Sequence, residues 1–297
     1  MRWAVLALVG CAAPLPPART PEFATPEPPD LIDASTFTTR VASLRATLAR
    51  SKVALDTTPV LAACGVHHGI DDCLRCELAS RTDTSGVDPD IIDAVAIAFA
   101  HYPTAVLRAA HLDHVALCRR IAYDHAHDEP DPAGVAIYGD QRLMISLAVF
   151  SATAHEGHGD FSIEQVVHHE LFHMLDRATQ GAAVEDDHAW HALNPPRFAY
   201  RAPAPLTASR PTGFVNAYAT TNELEDRASV YEYMMGQPEE LCALARLDPI
   251  VAAKAKLVRS RVAAIVGDSR LPHCNRPPPK PAPVLHERPP SIVGKMR

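Results

Sequence analysis

The sequence predicts an α+β fold, in which a small sheet is followed by a histidine-bearing helix and then by a helix that carries a carboxylate. Three patterns along the chain support this prediction. Apolar residues recur at helical spacing before residue 100, short apolar and β-branched runs occupy 114–150, and helical patterns return after residue 162. With 297 residues, 47% of them hydrophobic, the chain is long enough for one or two domains with a sizeable core.

Each element has its own local signal. Residues 41–48 and 91–99 repeat apolar side chains at helical spacing, the second run after the start signal Asp88-Pro89. Apolar runs interrupted by proline and glycine are typical of strands, and further helical patterns follow them. The predicted strands are 114–123, 134–139 and 142–150, and the predicted later helices are about 163–176, 221–236 and 249–266.

The charge of the chain argues against one class of partner. Its formal net charge is −7, from 28 basic and 35 acidic residues. Binding to nucleic acid or to an anionic membrane surface depends on a basic field, which this composition does not provide. We therefore expect no nucleic-acid partner.

The N-terminus has the layout of an export signal. Arg2 precedes an apolar run over 3–9, and small residues surround Cys11. The run is too short to span a bilayer. Leu8-Val9-Gly10-Cys11 resembles the lipobox of bacterial lipoproteins, which implies a lipid on Cys11 as the membrane anchor and, with Ala12 after it, a place in the outer membrane. The alternatives are an ordinary cleaved signal, which would give a secreted protein, and a misassigned start codon.

Composition divides the rest of the chain into three parts. Residues 12–30 and 275–297 are rich in proline and lack apolar periodicity, so we expect a disordered tether and a disordered tail. After a signal peptide over 1–11 and this tether, the folded domain is predicted to span 31–274.

Six cysteines remain when Cys11 is set aside. An even number in an exported chain favours disulfides, and proximity pairs Cys242 with Cys274. The alternative is a structural zinc site at Cys73-Leu74-Arg75-Cys76, although one C-x-x-C without a second pair is a weak signal. The four cysteines left to pair among themselves are Cys64, Cys73, Cys76 and Cys118.

The helix predicted near Ile163 carries the main chemical signal. Ser162 and Gln165 form a plausible capping box at its start. His169 and His173 are four residues apart and share one helix face, so both imidazoles can reach one ion. His169-Glu170-Leu171-Phe172-His173 is an H-E-x-x-H motif, typical of two zinc ligands and a glutamate that acts on a metal-bound water. His168 lies about 100° away around the helix and is not expected to be a ligand.

A catalytic zinc ion usually has a third protein ligand from another element. The best candidate region is 213–235, in which Glu225, Ser229 and Glu232 lie beside an apolar helical stripe. A carboxylate in that position can face a cleft.

Two motifs then resemble a known family, the zincin peptidases of the glutamate-ligand type, and most closely the catalytic domain of anthrax lethal factor and related bacterial zinc-binding metallopeptidase lipoproteins. The motifs are residues 169–176, HELFHMLD, and residues 218–225, YATTNELE; the loop 190–195, WHALNP, is also similar. The resemblance covers roughly 114–236. It implies a zincin-like fold, Glu225 as the third zinc ligand, and Tyr218 as a hydrogen-bond donor to the oxyanion.

Some positions depart from the family pattern. Ser229 stands where the family often has a second acidic residue, and Phe172 is bulkier than the glycine of the toxin, which would narrow the site. In a different alignment, Glu223 would replace Glu225 as the ligand. Asp176 could orient a ligand histidine, or act as an ordinary helix-end carboxylate.

These observations lead to one expected function and two alternatives. The expectation is an exported, lipid-anchored zinc metallopeptidase of the bacterial cell envelope, which hydrolyses a peptide or protein substrate. Zn²⁺ is held by His169, His173 and Glu225, with Glu170 as general base and Tyr218 at the oxyanion. The first alternative is a catalytically inactive surface protein of the same fold that binds a partner or a cell-wall component. The second is a disulfide-bonded structural domain without metal.

Overall fold

The protein is described by a computed structural model, which covers residues 34–56, 60–67, 70–78, 89–123, 132–147, 162–181, 187–200, 209–268, 271 and 274. The predicted signal segment, Cys11, the tether and the tail lie outside the described residues. Among the described helices, none combines the length and apolar character needed to cross a membrane. The described helices are α1 (Ala34–Ala49), α2 (Pro89–Ala100), α3 (Thr104–Ala109), α4 (Ile163–Gln180), α5 (His188–His191), α6 (Glu223–Gly236), α7 (Pro238–Leu247) and α8 (Pro249–Val266).

One mixed sheet precedes α4. Its strand order is β2-β3-β4-β6-β5, with β1 paired to the start of β4. The β2–β3, β3–β4 and β5–β6 pairs are antiparallel, whereas β4 is parallel to both β6 and β1. The strands are β1 (Ala54–Leu55), β2 (Val60–His67), β3 (Ile70–Leu78), β4 (His114–Tyr123), β5 (Gly134–Ile137) and β6 (Arg142–Ser146).

The two faces of the sheet belong to different clusters. Val115 and Leu117 of β4, which alternate with Ala116 and Cys118, join the main core beneath the helices. Ala116 and Cys118 point to the other face, where a smaller buried cluster includes Met144. This alternation follows the two-residue period of a strand. Helices therefore cover one face of the sheet, which confirms the predicted α+β arrangement.

The main elements lie close to their predicted positions. The three predicted strands are β4, β5 and β6, and the later helical patterns form α4, α6 and α8. Strands β2 and β3 were not predicted, because they contain glycine and consecutive aspartates, which are poor strand formers. Pairing of β3 with β4 compensates for this weak local preference. The helices α3 and α7 were also missed.

Two disulfides join parts of this fold. Cys242 of α7 is bonded to Cys274, as predicted, and Cys76 of β3 is bonded to Cys118 of β4. The second bond contradicts the alternative of a zinc site at Cys73-Leu74-Arg75-Cys76, because a disulfide sulfur is not a thiolate ligand. In the backbone register, Cys64 of β2 lies opposite Cys73 of β3.

Candidate metal centre

Helix α4 begins where the sequence predicts, because a capping box holds its first turn. The Gln165 amide N–H donates to the Ser162 hydroxyl at 3.3 Å, and the Ser162 amide N–H donates to the Gln165 side chain at 2.9 Å. Val167, Leu171 and Met174 are buried in the main core. The helix is therefore anchored by an apolar face, as predicted, while another face carries the histidines.

Two imidazoles and one carboxylate converge between α4 and α6. The ring centroids of His169 and His173 are 4.9 Å apart. Glu225, in the first turn of α6, places Oε2 2.8 Å from His169 Nε2 and 3.6 Å from His173 Nε2. One ligand atom from each residue lies within 4.8 Å of the others. The structure thus brings together the three residues predicted as metal ligands, and metal binding itself stays a prediction.

The chemistry and spacing of these three atoms suit zinc. Zinc binds imidazole nitrogen and carboxylate oxygen at about 2.0 to 2.2 Å, so neighbouring ligand atoms of a tetrahedral site are about 3.4 Å apart. The separations of 2.8 and 3.6 Å lie on either side of that value. Three protein ligands also leave the fourth tetrahedral position for water or substrate.

The position of Glu225 is set by the start of α6. Asn222 has extended backbone geometry and is the N-cap of this helix. Its side-chain oxygen accepts a hydrogen bond of 2.9 Å from the Glu225 amide N–H. Asn222 therefore determines where α6 begins and which of its side chains face α4.

Glu232 belongs to this centre, although from the sequence it was placed on the correct helix face without an assigned role. Its Oε2 lies 2.6 Å from Nδ1 of His169, on the side of the ring opposite Glu225. A carboxylate in this position fixes the ring and its tautomer when a metal occupies the other nitrogen. Glu232 therefore supplies the second carboxylate that the family often has at the position of Ser229. The buried Ser229 hydroxyl has no hydrogen-bond partner among the described residues. The available signal for Glu232 was its seven-residue spacing from Glu225.

The charges of the centre shift the pKa values of its members. Burial alone would lower the pKa of His169, but hydrogen bonds with Glu225 and Glu232 raise it well above its usual value. Burial would raise the pKa of Glu225, yet His173 and His169 hold it well below its usual value. Burial raises the pKa of Glu232, and His169 partly offsets this effect. Without metal, a cationic His169 thus lies between two carboxyl groups, and its Nε2 proton competes with a metal ion.

Glu170 lies beside the histidines and packs against the edge strand β5. Burial raises the pKa of its carboxyl, and the charges of His169 and His173, followed by a hydrogen bond from the Ala136 backbone N–H, partly offset this shift. Gly134 leaves the space in which Glu170 lies: a Cβ at Gly134 would be 2.7 Å from Cγ of Glu170 and 2.7 Å from Cγ1 of Val166. The predicted general base is therefore positioned by strand backbone.

Tyr218 begins a 3-10 turn, Tyr218–Thr220, just before α6. Its ring centroid is 6.0 Å from that of His169. Burial, followed by the charges of Glu225 and Glu170, raises the pKa of Tyr218 well above its usual value, so the phenol stays protonated and can donate a hydrogen bond. Tyr218 therefore lies beside His169, and its role at the oxyanion stays a prediction.

The turn that carries Tyr218 is linked to Glu232 through Asn216. The Asn216 side-chain oxygen accepts a hydrogen bond of 2.8 Å from the Ala219 amide N–H. Its amide nitrogen donates to Glu232 Oε1 at 3.5 Å. Asn216 was not identified from the sequence, because its role depends on packing between the turn and α6.

Tyr138, which follows β5, is a second tyrosine near the centre that was not predicted. Burial raises the pKa of Tyr138, and the charges of Glu170 and Glu225 raise it further. The guanidinium of Arg177 lies over its ring, 4.9 Å from the centroid. The phenol of Tyr138 therefore stays protonated, and the same two carboxylates act on its pKa as on that of Tyr218.

Glu223 lies in a different network from the metal ligands. Its Oε1 accepts hydrogen bonds from the Asp187 amide N–H at 3.0 Å and from Arg227 Nη1 at 2.7 Å. Its Oε2 is 2.5 Å from Nε2 of His191. Within the described chain, the metal-ligand group contains Glu225 and not Glu223.

Three other residues of α4 lie outside the centre. His168 is buried against Tyr102, whose hydroxyl is 2.7 Å from Nδ1, and burial lowers the pKa of His168 to about 3. Phe172 is fully buried and stacks on Tyr231 with centroids 4.8 Å apart, so its bulk fills the core and the expectation that it narrows the site is wrong. Asp176 pairs with Arg227 and not with a ligand histidine.

Comparisons with known proteins found one similar solved structure, a "putative zinc-binding metallo-peptidase" from Bacteroides caccae. The two chains are 13% identical with a TM-score of 0.43, and the match covers 80% of this chain and 90% of the other. No protein-family model and no curated protein matches the sequence. The function of this chain is therefore inferred from the residues of the centre.

Proposed function

We propose that this protein is a zinc-dependent peptidase of the glutamate-ligand type, related to the family of the lethal factor catalytic domain. One observation supports this proposal above the others: the ligand atoms of His169, His173 and Glu225 lie within 4.8 Å of one another. Glu170 adjoins this group, as the H-E-x-x-H pattern requires of a general base.

Each residue has a role in the proposed hydrolysis of a peptide bond. His169, His173 and Glu225 would hold zinc, which supplies a Lewis acid and lowers the pKa of its water ligand to about 7. Glu170 takes the proton of the attacking water and passes it to the leaving amine. Tyr218, a protonated phenol, donates a hydrogen bond to the carbonyl oxygen as negative charge develops there. Glu232 keeps the His169 ring in the orientation that presents Nε2.

The first test compares zinc content and peptide cleavage in purified full-length variants. Wild type should contain about one zinc per chain and cleave members of a peptide library. Glu170→Gln should retain the zinc and lose activity by at least about a hundredfold, since general-base catalysis contributes roughly 10² to 10⁴. Tyr218→Phe should retain the zinc and lose about 10² to 10³ in kcat.

A matched pair of variants tests the ligand assignment. Glu225→Gln removes a proposed ligand, whereas Glu223→Gln makes the same change two residues away, in the network of Arg227. Only Glu225→Gln should lose zinc. Loss of zinc with Glu223→Gln alone would contradict the assignment. A folded, zinc-loaded wild type that cleaves no peptide would contradict the peptidase proposal and favour a binding protein.

We also propose that the chain is exported and anchored through a lipid on Cys11. The disulfides Cys76–Cys118 and Cys242–Cys274 support export, because disulfides persist in oxidising compartments. Wild type expressed in bacteria should incorporate labelled palmitate and fractionate with the outer membrane, and Cys11→Ser should do neither. Wild-type protein without the label would contradict the lipid anchor and favour the alternative of a secreted protein with an ordinary cleaved signal.

A further inference from the structure

A row of polar contacts joins the two helices that carry the proposed zinc ligands. His169, His173 and Asp176 are spaced i, i+4 and i+7, so they share one face of α4. The α6 partners are Glu232 for His169 at 2.6 Å, Glu225 for His173 at 3.6 Å, and Arg227 for Asp176 at 2.7 Å. The row therefore continues beyond the metal centre as an ion pair.

Arg227 contacts several carboxylates at the end of this row. Its Nε donates to Asp176 Oδ2 at 2.7 Å, and its Nη1 donates to Glu223 Oε1 at 2.7 Å and to Asp187 Oδ2 at 3.4 Å. The planar guanidinium holds several acceptors in a fixed geometry, which lysine cannot reproduce. Asp187 is held in turn by Arg261 of α8, whose Nη2 donates to Oδ1 at 2.9 Å.

The burial of this ion pair indicates what it contributes. Arg227 is 0% exposed and Asp176 is 2% exposed. Removing two charges from water offsets much of their attraction, so a buried pair often stabilises a fold no more than apolar residues of the same volume would. What a fixed guanidinium and carboxylate can supply is a defined position of one helix against the other.

That position bears directly on the ligands. Arg227 lies two residues after Glu225 on α6, and Asp176 lies three residues after His173 on α4. A zinc site requires ligand distances within about 0.2 Å of their ideal values. A small slide of α6 along α4 would therefore move the Glu225 oxygen out of reach of one histidine while leaving the apolar packing largely intact.

We infer that the Asp176–Arg227 ion pair is a positioning device that fixes α6 against α4 and thereby sets the zinc affinity of the centre. This inference rests on the proposed zinc site. Neither residue touches the metal ligands in the described contacts, so the effect passes through the two helices.

The experiment measures zinc affinity and stability separately in the full-length protein. The dissociation constant for zinc is obtained by competition with a chromophoric chelator, and the unfolding midpoint of the metal-free protein by circular dichroism. Asp176→Asn and Arg227→Lys should each weaken zinc binding about tenfold, the lower end of what partners outside the ligand set contribute. Lys254→Met is the matched control. It breaks another fully buried ion pair, Lys254 with Asp226, which joins α6 to α8.

The control separates positioning from loss of stability. Lys254→Met should lower the unfolding midpoint of the metal-free protein and change the zinc dissociation constant less than twofold. If Asp176→Asn does not fold, the double variant Asp176→Leu with Arg227→Met keeps the volume without charges, and it should fold and bind zinc about tenfold more weakly. If folded Asp176→Asn or the double variant binds zinc with wild-type affinity, the positioning inference is overturned and the proposed function is unaffected. A wild type that binds no zinc would overturn the proposed function itself.

Discussion

At the scale of single residues, adjacent histidines on α4 have opposite environments. His168 faces the core and Tyr102, and burial lowers its pKa to about 3. His169 lies between two carboxyl groups that raise its pKa well above the usual value, despite its burial. The 100° between successive helix positions is enough to separate a neutral core residue from a proposed metal ligand.

His168 makes stability depend on pH. Because its folded pKa is about 3 and its unfolded value is 6.5, the unfolded chain binds more protons between these pH values. Acid should therefore favour unfolding across this window, by up to about 5 kcal/mol at 1.36 kcal/mol per pKa unit. His168→Gln cannot take up this proton, so its free energy of unfolding should fall less than that of wild type between pH 6.5 and pH 4. The free energy of unfolding is measured by urea denaturation at each pH. An equal decrease in wild type and His168→Gln would contradict this prediction.

The sequence predicted the residues of the centre better than their partners. His169 and His173 follow from a local motif, whereas Glu225 was singled out among the acidic residues of one helical face only by the family resemblance. Glu232 and Asn216 were not assigned, since their roles depend on how α6 and the preceding turn pack on α4. Phe172 was misjudged for the same reason, because only the packed structure places Tyr231 against its ring.

At the level of helices and strands, two disulfides join segments whose contact is not indicated by local sequence patterns. Cys76–Cys118 links neighbouring strands, and Cys242–Cys274 links α7 to the chain beyond α8. The helices α4, α6 and α8 were predicted because they are long and periodic, whereas β2 forms by pairing with β3, and β3 by pairing with β4. Local periodicity does not predict strand pairing between residues that are far apart in the sequence.

Removing the Cys242–Cys274 disulfide should destabilise the protein measurably. It closes a loop with a sequence separation of 32 residues. In the chain-entropy model, a loop of this size contributes about 3 to 4 kcal/mol to the free energy of unfolding. The double variant Cys242→Ala with Cys274→Ala should show this loss in chemical denaturation, and reducing agent should affect it less than wild type. An unchanged free energy of unfolding would show that the bond does not restrict the unfolded chain.

At the scale of the whole molecule, the helices lie on one face of the sheet and the proposed metal centre lies between two of them. The α+β class was predictable because strand and helix patterns occupy separate parts of the sequence. The order of strands in the sheet was not predictable, since it depends on contacts between residues far apart in the chain. The domain limits of 31 and 274 stay predictions.

Zinc should stabilise the whole fold, because its proposed ligands come from both α4 and α6. A ligand that binds only the folded state at 100 times its dissociation constant adds about 2.7 kcal/mol. Wild type and Glu223→Gln should therefore show a higher unfolding midpoint after zinc addition, and Glu225→Gln should not. Equal responses of the two variants, measured by calorimetry at fixed protein concentration, would contradict this coupling.

The close contact at Gly134 has a genetic consequence. A Cβ there would lie 2.7 Å from both Glu170 and Val166, so even alanine collides with the proposed general base. If the activity is placed under growth selection, Gly134→Ala should behave as a loss-of-function allele, and a smaller residue at Val166 alone should not restore growth, because the contact with Glu170 remains. Selection for the activity would then keep position 134 as glycine.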